Sequence, residues 1–158
     1  MSKKSAGTEY SYDKTDMAIL AALKANARQS ARELAKSLGL HPATVLQRMS
    51  KMEAHGIIRG YRADVDLTKL GYEFIGIMEV TVAKGALIEV QDEISRIANV
   101  ISVYDITGEY DSLVTIACKT RQQFSALVKK ILSIKNVEHT NTHVVLNIVK
   151  HSETFIPG

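Results

Sequence analysis

The chain has 158 residues, 46% of them hydrophobic, with 20 Lys and Arg against 17 Asp and Glu, for a formal charge of +3. That hydrophobic share excludes a disordered chain, and the longest apolar run, Met17 to Leu23, is too short to span a membrane. The charge is uneven: residues 1–62 carry 11 basic and 5 acidic side chains, a balance of +6, whereas residues 63–158 carry 9 and 12, a balance of −3. Such an asymmetry points to nucleic-acid contact by the first half.

Residues 1–12 are rich in Ser, Lys, Gly and Thr without periodicity and read as a flexible tail. Their positive charge has no apolar stretch behind it, so they are not expected to be a secretory signal. A helix is predicted from Asp13, with Asp13 and Asp16 suited to its start and Ile19, Leu20 and Leu23 at helical spacing. A second starts at Ser30, where Ser30-Ala31-Arg32-Glu33 is a capping box. Leu34, Ala35 and Leu38 form its buried face, and Gly39 stands where a helix end favours a left-handed residue. The third follows at once, with Pro42 in its first turn and Val45, Met49 and Met52 in register, and ends at Gly56. Residues 57–62 are short and β-like, the material of a small wing, and residues 63–71 read as a linker.

From Tyr72 the predicted order is β-α-β-β-α-β, with strands at about 73–82, 100–107, 112–119 and 137–149 and helices at about 87–98 and 121–134. The inward residues are Leu87, Val90, Ile94 and Ile97 on the first helix and Phe124, Leu127, Val128 and Ile131 on the second. Thr120 with Gln123 caps the latter. Asn99-Val100 and Asn136-Val137 recur 37 residues apart, each after a helix, so the half reads as two β-α-β units. The fold class is therefore α+β: a three-helix, winged helix-turn-helix domain over 13–62, then a ferredoxin-like βαββαβ domain over 72–150 and a tail at 151–158.

Two helices joined by a Gly-containing turn make a helix-turn-helix, and the third helix carries what a groove reader needs. Val45, Met49 and Met52 share one side. Ala43, Thr44, Gln47 and Lys51 share the other, with Arg48 at its margin. Small residues permit close approach, Gln47 and Arg48 suit base edges, and Lys51 suits phosphate. A merely solvated face normally carries Glu too, and this one has none before Glu53. Arg28, Arg32, Arg59 and Arg62 are candidates for contact with the phosphate backbone.

These residues resemble the DNA-binding half of the Lrp/AsnC, or feast/famine, transcription regulators. The matching stretches are Asp16-x-x-Ile19-Leu20-x-x-Leu23, Glu33-Leu34-Ala35-x-x-Leu38-Gly39-Leu40, Thr44-Val45-x-x-Arg48-Met49 and Gly56-Ile57-Ile58-x-Gly60-Tyr61. The second half is similar to the family's effector-binding (RAM/ACT-like) domain, with the loop Gly108-Glu109-Tyr110-Asp111 as its hallmark. His41 departs from the Ser that many members place at the cap of the third helix. The resemblance implies that the loop lines an amino-acid effector pocket at a subunit interface, and that dimers assemble further, to tetramers or octamers. On the residues alone the loop is an ordinary β-turn. In a pocket, Glu109 or Asp111 would meet an amino group, backbone amides a carboxylate, and Thr140 and Thr142 would add hydroxyls.

Other readings of the second half fail on particular residues. An RNA-recognition sheet needs aromatics on its central strands, and Ser112 to Lys119 has none. An enzyme needs a nucleophile with a base, paired carboxylates or metal ligands. His139 and His143 share a strand face but stand roughly 13 Å apart along it, too far to share a metal. Cys118, the single cysteine, falls in an alternating strand as a buried residue, and one cysteine fits a reducing compartment. No catalysis, metal or cofactor is expected beyond the amino-acid effector, and the expected location is cytoplasmic, on the nucleoid.

The central strands carry apolar residues on both faces, Phe74, Met78 and Val80 against Ile75 and Ile77, and Val114 and Ile116 against Leu113. Two helices cover one face of such a sheet, so the other calls for a partner, most simply a second copy. The expectation is a sequence-specific regulator binding double-stranded DNA as a homodimer or larger. The alternative is a small-molecule sensing or structural oligomerisation module without specific readout.

Overall fold

The computed structural model describes residues 10–149. The chain divides into two compact units, the first ending at Asp64 and the second beginning at Val65.

The first unit is three helices: α1 (Lys14–Ala25), α2 (Ala31–Leu38) and α3 (Pro42–Ala54). Each begins on a side-chain cap that satisfies amides the helix leaves unpaired. Asp13 accepts from the Thr15 and Asp16 amides, and Ser30 forms a capping box with Glu33, whose carboxylate takes the Ser30 amide at 2.7 Å. The His41 ring Nδ1 accepts from the Ala43 amide, so His41 does cap α3. Gly39 ends α2 at φ +66°, a conformation that would cost most other residues about 1–2 kcal/mol. Ile19, Leu23, Leu34, Ala35, Val45, Met52 and Ile58 close the core between the helices, with Tyr10 packed against it. Residues 10–12 fell in the expected tail, yet Tyr10 is part of this packing. Residues 57–66 contain no strand, so the expected β-like wing is an irregular segment. Its backbone turns back on α3 instead, the Ile57 and Ile58 amides both donating to the Met52 carbonyl.

The second unit runs β1 (Phe74–Val82), α4 (Leu87–Ser95), β2 (Val100–Asp105), β3 (Ser112–Cys118), α5 (Arg121–Leu132) and β4 (Val137–Val144). The sheet order is β2-β3-β1-β4 and every neighbouring pair is antiparallel, the ferredoxin-like plan. Before it, the second half of the expected linker forms a tight turn, in which Asp66 accepts from the Thr68 and Lys69 amides.

Alternation along the strands sorts the two faces. Met78, Val80, Val82, Val114, Ile116 and Cys118 face the helices and meet Val90, Ile94, Leu127 and Ile131. Gly76 lies on that same face beneath α5, where a Cβ would come within 2.6 Å of the Phe124 ring. The two Asn-Val steps have different roles. Asn99 pairs with both backbone groups of Ala117, lengthening the β2–β3 ladder, whereas Asn136 turns the chain after α5 at φ +70°. The strand β4 ends at Val144 rather than at 149. Beyond it the Val145 amide still donates to the Ile75 carbonyl, but Leu146 is 97% exposed and Val149 93% exposed.

Candidate nucleic-acid interface

The turn between α2 and α3 is the three residues Gly39-Leu40-His41, and the Leu40 amide closes it onto the Ala35 carbonyl. Val45 and Met52 are buried and Met49 half-buried, which orients the opposite side of α3 outward. That outward face is Ala43, Leu46, Gln47, Ser50 and Lys51, all exposed, with Thr44 and Arg48 half-buried at its margin. Leu46, 54% exposed, and Ser50 were missed from sequence. Helical spacing held the signal: Leu46 stands about 100° from buried Val45, off the apolar stripe. An exposed leucine there suits apolar contact with a thymine methyl group.

Arg48 is placed differently from the rest. Its Nη1 lies 2.8 Å from each Asp13 carboxylate oxygen and 2.9 Å from Asp16 Oδ1. These contacts hold its guanidinium charged, the Asp16 bond first and the Asp13 bond next. The Asp13 carboxyl sits below its usual range because the Asp16 amide donates to it and Arg48 adds to that. The guanidinium group at the edge of the outward face is thus engaged by the start of α1.

Lys51, Arg28, Arg32, Arg59 and Arg62 are all exposed. Arg32 rides on α2, Arg28 on the turn before it, where its amide donates to Asn26, and Arg59 and Arg62 on the irregular segment after α3. Tyr61 steadies that segment: its hydroxyl donates to Glu53 Oε1 at 2.8 Å. Desolvation, and then this bond, push its pKa up to about 12, so the hydroxyl keeps its proton.

In the second unit, the loop Gly108-Glu109-Tyr110-Asp111 joins β2 to β3. Gly108 takes φ +126°, which L side chains rarely adopt, and Glu109 is exposed. Asp111 is tied into the fold: its Oδ2 accepts the Val82 amide at 2.8 Å and its own amide donates to the Val80 carbonyl at 3.0 Å. Register places Thr140 opposite Val80 and Thr142 opposite Met78, hence on the helix-covered side of the sheet. Two surface hollows lie on the helix layer, one lined by Glu89, Glu93 and Lys130, the other by Arg121, Ser125 and Lys129, and neither is lined by the loop.

The open face of the sheet carries Ile75, Ile77, Leu113 and Tyr104, interrupted by a polar cluster in which Asn141 donates to Glu79 at 2.9 Å and His143 lies 3.3 Å from the same oxygen. His139 and His143 share this face, opposite Thr81 and Ile77. Among the described residues no three His, Cys, Asp or Glu side chains group as metal ligands, and no helix is long and apolar enough to cross a membrane. Cys118 is buried, and burial pushes its thiol pKa up, away from reactivity.

Known proteins match both units. The family model described as winged helix-turn-helix DNA-binding matches residues 12–59, and that of the Lrp/AsnC ligand binding domain matches residues 75–155. An uncharacterized HTH-type transcriptional regulator of Pyrococcus furiosus is 39% identical over 138 residues, covering 87% of this chain and 93% of that one. The structure of Escherichia coli AsnC superposes with a TM-score of 0.86 at 31% identity, over 94% of this chain and all of that one. A transcriptional regulator from Neisseria meningitidis, solved in complex with L-Met, gives a TM-score of 0.86 at 28% identity, over 92% and 96%. With a helix-turn-helix DNA-binding domain in its first unit and a ligand-binding fold in its second, the chain belongs to the Lrp/AsnC family: it is a DNA-binding transcription regulator, not an enzyme.

Proposed function

We propose that this regulator grips operator DNA as a pair of copies, and that an amino acid bound in the second domain adjusts the grip. The observation that carries the reading is the outward face of α3, where Leu46, Gln47 and Lys51 stand exposed while Val45 and Met52 are buried. Ala43 and Thr44 let the helix N-terminus approach the major groove. Gln47 bonds an adenine edge, Leu46 meets a thymine methyl, and Lys51 takes phosphate. Arg28, Arg32, Arg59 and Arg62 add contacts to the phosphate backbone. This is the work the +6 balance of residues 1–62 supports, through release of counterions from the duplex.

The second copy packs its sheet on the open face, where Ile75, Ile77, Leu113 and Tyr104 give apolar contact area. Two reading helices then match a near-palindromic site with half-sites about 10 bp, or a multiple, apart. Assembly beyond the dimer, to tetramers or octamers, builds on this unit. The ligand site is the loop Gly108–Asp111, completed by the other copy. L-Met in the Neisseria relative supports the ligand class. Within the loop, Glu109 meets the amino group, Tyr110 and the backbone amides frame the ligand, and Asp111 holds the loop in shape. Thr140 and Thr142, on the helix-covered side, bear on the site only through packing. A protein of this kind works in the cytoplasm, on the nucleoid.

A selection of bound DNA from random sequence, with and without each of the twenty amino acids, tests the reading. A two-fold symmetric motif whose recovery changes with one amino acid is expected. Recovery of random sequence under every condition would leave a sensing or structural module in its place.

A further inference from the structure

Asp16 is a carboxylate only 1% exposed, on a helix that belongs to the scaffold of the domain rather than to its reading face. Its two oxygens meet three donors: Arg48 Nη1 at 2.9 Å on Oδ1, and the Tyr10 hydroxyl at 3.0 Å with the Asp13 amide at 3.1 Å on Oδ2. Tyr10 also reaches the far end of α3, its ring centroid 4.9 Å from that of His55, the residue that ends the helix. The reading helix is therefore held at two points, Arg48 in its middle and His55 at its end, and both lead back to one buried carboxylate.

We infer that Asp16, with Asp13, positions the reading helix through Arg48, and that Arg48 sets the angle of α3 on DNA without reading a base or neutralising a phosphate. Two carboxylates already balance its single charge, so Arg48 has no counterion to release from the duplex. A guanidinium paired in this way also resists leaving, since departure would strand Asp16 buried without its charge partner. Arg rather than Lys suits the place, because a guanidinium is more weakly hydrated than an ammonium and gives up less water to enter this part-buried pair, where its Nη1 meets both carboxylates. The inference rests on α3 being the reading helix, as proposed above.

The test is a mutant cycle on DNA affinity in the full-length chain, pairing Arg48→Met with Asp16→Asn, each variant first checked for helix content and melting. Asp13→Asn, at a more exposed position, serves as the second partner should Asp16→Asn fail to fold. Removing a carboxylate from a DNA-binding domain strengthens binding by charge alone, so a loss reports geometry. The expectation is about a tenfold weaker operator complex for Arg48→Met and for either Asp variant, with the double variant no worse than a single one. The preferred bases and the slope of log affinity against log salt should stay as in the wild type, and Arg48→Lys should recover only part of the loss.

Three results would overturn the inference: additive losses, the disappearance of preference at one base position, or a salt slope about 0.9 shallower for Arg48→Met. A wild type without sequence preference would instead fail the regulator reading. The cycle on total DNA affinity would still decide whether Arg48 acts through Asp16.

Discussion

The Asp111 carboxylate accepts the Val82 amide at 2.8 Å, tying the β2–β3 loop to the last residue of β1. Val82 needs that partner, because the β1–β4 register shifts between Thr81 and Val82. Replacing Asp111 with Ala removes a hydrogen bond to a charged acceptor and should cost about 1.5–3 kcal/mol of the domain's stability. Urea unfolding measures it, and an unchanged midpoint would show the bond to be idle. Glu109→Gln should leave the midpoint in place while reducing the thermal shift produced by the amino-acid effector.

Gly76 is a packing requirement. An alanine Cβ there would stand 2.6 and 2.8 Å from two Phe124 ring atoms and 3.2 Å from Ile116 Cγ1. Gly76→Ala should therefore destabilise by about 1–3 kcal/mol, the usual cost of overpacking. Adding Phe124→Leu should recover part of that. A double variant less stable than Gly76→Ala alone would mean that the ring is not what the new methyl meets.

Leu46 is exposed and Met52 fully buried on the same helix, so the two should separate stability from recognition. Met52→Ala empties a fully buried site and should cost about 2–5 kcal/mol. Leu46→Ala should move stability by no more than about 0.5 kcal/mol, as surface changes do. It should lower discrimination at a thymine position by an amount that competition with uracil-substituted DNA, which lacks the methyl, would reproduce. Equal stability losses for the two variants would place Leu46 in the core.

Acid should loosen the first domain through its helix caps. Asp13 is held below its ordinary 3.8, first by the Asp16 amide and then by Arg48, and Glu33 below its ordinary 4.5 by the Ser30 amide. A carboxylate with a depressed folded pKa adds stability above its unfolded value and loses it as pH falls through the folded one. Stability from these caps is thus complete at neutral pH and declines as pH drops below 4.5 and then 3.8. Asp13→Asn with Glu33→Gln should flatten the helix melting temperature across that window. A wild-type slope in the double variant would assign the acid sensitivity elsewhere.

The features legible in the sequence are those whose cause is local. Ser30 with Glu33, Gly39 after α2, and Thr120 with Gln123 announce themselves within four residues, and the structure places each cap where the spacing puts it. The order of six elements in the second half is equally readable from its switching periodicity. Long-range choices are not. Arg48 looks like any arginine on an outward face, and its partners lie 35 and 32 residues away. The wing was expected from the β-like run Ile57-Ile58, but Ile58 is buried in the three-helix core and the two amides turn onto Met52. Asp111 or Glu109 was expected to meet a ligand's amino group, and the sequence held no sign of a second role for Asp111. Only the fold reveals that one of its carboxylate oxygens accepts the Val82 amide. The apolar alternation after Val144 also read as strand, but β1 begins at Phe74, and the pairing goes no further than the Val145 amide on the Ile75 carbonyl.

That last departure bears on solubility. The sheet ends at β2 on one side and β4 on the other, and a free strand edge is a template for unwanted pairing between chains. Polar His139, Asn141 and His143 blunt β4 along its length, but Leu146 and Val149 continue past it almost fully exposed. The stretch Val145-Leu146-Asn147-Ile148-Val149 is uncharged, β-prone and free of proline, the composition from which aggregates nucleate. A copy carries this segment as a standing hazard, greatest in concentrated or partly unfolded samples. A charged gatekeeper such as Leu146→Lys would lower it without touching either core.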